Sequence, residues 1–73
     1  MKAEFTVKAI TKYDSSNSGV RVELEPRIPA TLLTDPDFWA GKPNGIIELY
    51  LSATTALNFN PAQNYLVSMT LIP

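Results

Sequence analysis

Four prolines, Pro26, Pro29, Pro36 and Pro43, cut this chain into two halves. Each lacks a backbone donor, holds its own φ at about −65° and biases the residue before it away from helix. No central strand and no long helix can therefore run through 26–43. Regular structure must come from the segments on either side, and both sides alternate like strands.

Lys2 to Tyr13 places Ala3, Phe5, Val7 and Ala9 on one face and Lys2, Glu4, Thr6 and Lys8 on the other, the period of a half-buried strand. Ile10 breaks the alternation, so the strand either bulges there or carries an apolar residue outward. The turn formers of 14–19 (Asp-Ser-Ser-Asn-Ser-Gly) predict a flexible, solvated hairpin tip. Val20 to Glu25 is the clearest strand, with Val20, Val22 and Leu24 opposed to Arg21, Glu23 and Glu25. Glu23 and Glu25 share a face, but nothing near them desolvates a carboxylate for acid–base work, and they read as a solvated surface.

Within the proline segment lie the apolar residues Ile28, Ala30, Leu32, Leu33, Phe38 and Trp39. Thr34-Asp-Pro-Asp looks like a helix start, with Thr34 or Asp35 as N-cap and Pro36 at the first helical position. Gly41 is a natural stop, which predicts a short helix near 35–40 presenting Phe38 and Trp39 as a plug. After the Lys42-Pro-Asn-Gly turn, Ile46 to Ser52 reads as a strand with Ile47, Leu49 and Leu51 on one face and Ile46, Glu48 and Tyr50 on the other. Ser52 is placed to cap a helical turn near 53–58. A turn at 60–64 precedes a last strand, Tyr65 to Ile72, with Tyr65, Val67, Met69 and Leu71 inward.

These elements predict an all-β, single-domain protein over 1–73: a small curled sheet or partly open barrel of about four to five strands. A barrel of the oligonucleotide/oligosaccharide-binding type with one strand missing is one way to draw it.

The chemistry open to the chain is narrow. With no Cys and no His, nucleophile pairs that need an imidazole, thiol redox and the usual zinc and haem sites are absent. The three glycines are isolated, so no phosphate loop is present. Asp35 and Asp37 offer at best a weak Mg²⁺ site. We expect no enzyme activity and no cofactor. A net charge of −1 argues against non-specific duplex binding, and no apolar run is long enough for a membrane span. Lacking a signal-like start, the chain is expected in the cytoplasm. So small a domain, without disulfide or metal, needs efficient packing or self-association.

Two residue sets remain as candidate sites. Ile46, Tyr50, Leu66 and Ile72 face outward on the last two strands and form an apolar set that the core does not require, which predicts an interface with a second copy or with another protein. The alternative set, Trp39, Lys42, Tyr50, Arg21 and Arg27, combines aromatics and cations as a surface for single-stranded nucleic acid or nucleotides would. For Phe38, Phe59, Tyr65 and Trp39 a core role is favoured.

The opening Lys2-Ala-Glu-Phe-Thr-Val, the central Asp37-Phe-Trp-Ala-Gly-Lys-Pro-Asn-Gly followed by Ile47-Glu-Leu, and the closing Phe59-Asn-Pro-Ala-Gln-Asn-Tyr-Leu-Val with Thr70 and Pro73 resemble short uncharacterised β-rich proteins encoded by tailed bacteriophages and prophages. In that pattern the turn after Pro61 commonly holds a Gly, where this chain has Ala62 and Gln63. The resemblance implies an accessory protein that engages a host or phage protein in the infected cell, or a small virion component. It carries over no catalytic residue.

Overall fold

The longest strand, β1 (Lys2–Lys12), has a partner on each edge. In the computed structural model, which describes residues 1–13 and 19–73, β2 (Val20–Pro26) pairs with β1 from Phe5 to Lys12, and β4 (Asn64–Ser68) pairs with its other edge from Lys2 to Thr6. β3 (Ile47–Leu51) adds to the outer side of β2. All pairs are antiparallel and the order is β3-β2-β1-β4, a curled half-barrel sheet. One short helix, α1 (Ala53–Ala56), touches β2 and β3. The mainly β architecture is thus the one the alternation predicts; the hairpin tip falls, over 14–18, outside the described residues.

The irregularity at Ile10 is a bulge. Register shifts between Val7 and Ala9, so Ala9 pairs with Glu23 and Ile10 with Val22. Ala9, expected inward, is carried to the Glu23 face, and Ile10 joins the inner one. That face holds the core: Ala3, Phe5, Val7, Val20, Val22, Leu24 and, from α1, Ala56. Trp39 tilts onto Phe5 at 5.9 Å between ring centres and meets Phe38 edge-on at 4.8 Å. These are the distances of favourable aromatic pairs. The two rings close the inner face as the expected plug.

The helix expected near 35–40 does not form. A single turn stands in its place, closed by the Phe38 N–H donating to the Asp35 carbonyl at 3.0 Å. The residues that looked like N-caps are engaged elsewhere. β2 ends at Pro26, leaving the backbone of Lys2 and Glu4 unpaired on that side, and the proline segment fills the gap. Arg27 N–H donates to Glu4 C=O at 3.0 Å and Glu4 N–H to Thr34 Oγ1 at 3.0 Å. Asp35 N–H donates to Lys2 C=O at 3.0 Å, and Lys2 N–H to Asp35 Oδ2 at 2.8 Å. A connection without a strand therefore meets the needs of a strand edge.

Glu4 fixes that connection in place. Its side chain lies on the face opposite Phe5, yet the residue is only 3% exposed. Oε1 accepts from the Thr31 N–H, the Thr31 hydroxyl and the Thr34 hydroxyl, each at 2.8 Å; Oε2 accepts from Arg27 Nη1 at 2.8 Å. Burial alone pushes this carboxyl up, but the bonds from Thr31, Thr34 and Arg27 outweigh it and hold the pKa at about 2, below the usual 4.5.

The last strand is shorter than the alternation predicts, because Met69 is the last residue with a partner: its N–H donates to the Met1 carbonyl at 2.8 Å. Thr70 to Pro73 lie beyond the sheet. Ser52 caps α1 as expected, its Oγ accepting the Thr55 N–H at 3.2 Å. The Tyr65 hydroxyl donates to Asn58 C=O at 2.7 Å and accepts from Asn60 N–H at 3.2 Å, tying the exit of α1 to β4. In the following turn Ala62 has φ +63°, the left-handed region, while its N–H donates to Val7 C=O at 3.1 Å.

Two outcomes test these contacts. A carboxyl with a depressed folded-state pKa contributes stability that is complete above its unfolded value near 4.5 and is lost as pH falls toward about 2. Acid unfolding followed by circular dichroism should show that loss, and Glu4→Gln should both lower the melting temperature at neutral pH and flatten this part of the profile. At the turn, Ala62→Gly relieves a left-handed strain of roughly 1–2 kcal/mol against a backbone-entropy cost of roughly 0.5–1 kcal/mol. Urea unfolding should find the variant equal to or more stable than the parent, by up to about 1.5 kcal/mol.

Candidate functional site

The molecule is thin. Its extents are 42 × 32 × 17 Å, and its radius of gyration is 13.7 Å, where a compact chain of this length has about 11 Å. Its accessible surface of 5558 Å² exceeds by roughly a quarter the ~4,400 Å² typical of a monomer of 8.0 kDa. Most domains pack a sheet against a second full layer. Here one short helix and an aromatic pair cover part of one face, and apolar surface is left over.

All four residues of the expected interface are exposed: Ile46 by 55%, Tyr50 by 70%, Leu66 by 46% and Ile72 by 85%. They do not form one patch. The expectation that the last two strands share a surface fails because β3 pairs with β2 and β4 with β1, which sets the two strands on opposite edges. Ile46 and Tyr50 belong to one edge, Leu66 and Ile72 to the other, and Ile72 lies past the end of β4.

Around Tyr50 the surface is polar and internally paired. Tyr50 stacks on Tyr13 with ring centres 6.2 Å apart and planes 20° from parallel. Arg21, its cross-strand partner, places Nη2 2.7 Å from Glu48 and 3.4 Å from Glu23. Burial pushes the Arg21 guanidinium down, but the bond with Tyr13 and the charges of Glu23 and Glu48 more than reverse that. The neighbouring Tyr13 is also the main cause that raises the Tyr50 phenol.

The set considered for nucleic acid is dispersed. Arg21 is neutralised by two carboxylates and Arg27 by Glu4. Trp39 is half-buried against Phe5 and Phe38, with its ring edge 3.7 Å from where a Cβ on Gly45 would sit. Lys42 is exposed in the turn that follows. Only Arg21 and Tyr50 are neighbours, and their cation is committed.

The inner face opens into a cleft of about 640 Å³ lined by Ile10, Lys12, Val20, Ala56, Leu57 and Phe59 among others. Among the described residues its one charged group is Lys12, which the bulge turns to this side, opposite Val20. Glu4 cannot serve as a general base, since four donors occupy its oxygens and its pKa is shifted away from neutrality.

One signal in the sequence was missed by pattern reading. Every charged residue of the chain lies between Lys2 and Glu48, and 49–73 contains none. That stretch supplies all of β4 and the exposed side chains of Leu57, Leu66, Met69, Leu71 and Ile72. Tallying charge along the chain, rather than by strand face, finds it.

The tyrosine pair has a spectroscopic consequence. Tyr13→Phe should lower the Tyr50 pKa, read as an earlier phenolate transition in an ultraviolet titration; an unchanged Tyr50 transition would refute the contact.

No helix among the described residues is long and apolar enough to cross a membrane. Compared with models of protein families, with curated proteins and with solved structures, the chain matches none.

Proposed function

We propose that this chain is a non-catalytic interaction protein that assembles with itself, or engages a protein partner, through apolar surface that its thin fold leaves uncovered. The observation that carries this reading is the surplus of accessible surface, together with large exposed apolar side chains that include Ile46 and Tyr50 at one edge of the sheet and Leu66, Leu71 and Ile72 at or beyond the other. Exposed apolar sets of this kind mark interfaces, and a chain with neither disulfide nor metal gains stability by burying them. Nucleic-acid binding is supported less, because Arg21 and Arg27 already have carboxylate partners. The resemblance of the opening, central and closing motifs to short phage proteins extends the proposal: an accessory protein in the host cytoplasm, or a small component of the virion.

Sedimentation velocity over a wide concentration range tests the self-association arm. A dimer or larger species that dissociates on dilution is the expected result. A monomer even at millimolar concentration would remove that arm and leave only a partner protein.

A further inference from the structure

Within β4, backbone direction is fixed by its pairing with β1. Met69 N–H donates to Met1 C=O at 2.8 Å, the Met1 ammonium donates to Met69 C=O at 3.3 Å, and Val7 N–H donates to Gln63 C=O at 2.9 Å. In an antiparallel ladder the bonded residues alternate. Tyr65, Val67 and Met69 therefore turn their backbone groups toward β1, while Asn64, Leu66 and Ser68 turn theirs outward. Among the described residues, the outward N–H groups find no partner.

Such an edge normally carries a lysine, a proline or a bulge that keeps other strands away. β4 carries none of these, and neither does 64–72 as a whole. The edge of β3 differs: it carries a charged residue, Glu48, one of the devices that keep other strands away.

We propose that the outer edge of β4 is the seam of a two-fold symmetric homodimer, in which β4 pairs antiparallel with β4 of a second copy. This rests on the self-association reading above and specifies where it happens. Centred on Leu66, the axis sets Leu66 against its own copy and Asn64 against Ser68, each pair exchanging both backbone bonds. A two-fold interface presents the same surface to itself, so a charged seam would oppose like charges. An uncharged one fits without penalty, and this selects a second copy over a partner chosen by charge. Met69, Leu71 and Ile72, all exposed beside the seam, supply the apolar flank that a lone strand pair lacks. The surplus of roughly 1,100 Å² over a compact monomer is of the size that a standard interface buries on each partner, about 800 Å².

Ser68→Pro deletes an outward N–H while leaving the bonds to β1 untouched, and edge strands accept proline there. By sedimentation it should weaken the dimer at least about tenfold, whereas Tyr50→Ser on the β3 edge should not. If Ser68→Pro does not fold, amide exchange on the unmodified chain decides. The Leu66 and Ser68 amides should be protected above the dissociation midpoint and exchange freely below it, with the Val67 amide protected in both. A dimer in which Leu66 and Ser68 still exchange at the free rate, or which survives Ser68→Pro, overturns the seam and leaves self-association standing. A monomer at every concentration overturns both.

Discussion

The carboxylate of Glu4 is the constraint on which the rest of the structure depends. A buried carboxylate needs hydrogen-bond donors, and those of Glu4 come from Thr31, Thr34 and Arg27 on a connection that has no regular structure. Satisfying one group orders the whole proline segment. Once Thr31 and Thr34 are seated, Asp35 falls beside Lys2 and Trp39 against Phe5, so the same connection caps an open strand edge on one side of the sheet and plugs its core on the other. The charge fixes position more than it adds cohesion, a role buried ion pairs take in several proteins. Apolar residues of the same volume would pack there with less direction.

How far the fold could be read from the sequence follows the range of the interactions. Strands β1 and β2 were legible because period-two alternation is local, and Ser52 as a cap was legible because its partner, Thr55, is its near neighbour. Thr34 and Asp35 have the right chemistry for a cap, but their partners are Glu4 and Lys2, some thirty residues away, and nothing local reveals that. The same limit hid the sheet order. β3 and β4 are consecutive, yet each pairs with a different inner strand, β3 with β2 and β4 with β1, and no local pattern says which. The candidate residues were therefore correctly read as exposed and wrongly read as adjacent.

Shape and composition converge on the final third of the chain. A single sheet whose faces are only partly covered leaves two edges to solvent, and proteins usually guard such edges with charge. This chain spends its charged residues on the first 48 positions, where Arg21, Glu23 and Glu48 form one cluster and Glu4 with Arg27 another. The half of the sheet edge nearest β4 is left apolar and neutral. Glu4 and the neutral edge are thus counterparts: one region is specified by buried charge, the other by its absence.

β1 comes first of the four strands in the chain, yet it carries β2 on one edge and β4 on the other, so its pairing is completed last. β2 can pair with it early through a near hairpin, but β4 follows only after nearly all of the described chain has been made. Until then the apolar inner face around Phe5 and Val7 lacks its neighbour strand, and the half-sheet is open to the wrong partner. Closing so long a loop is slow compared with forming a hairpin. The inner face is therefore complete only once β4 has paired, and β4 is the last element of the sheet in the chain.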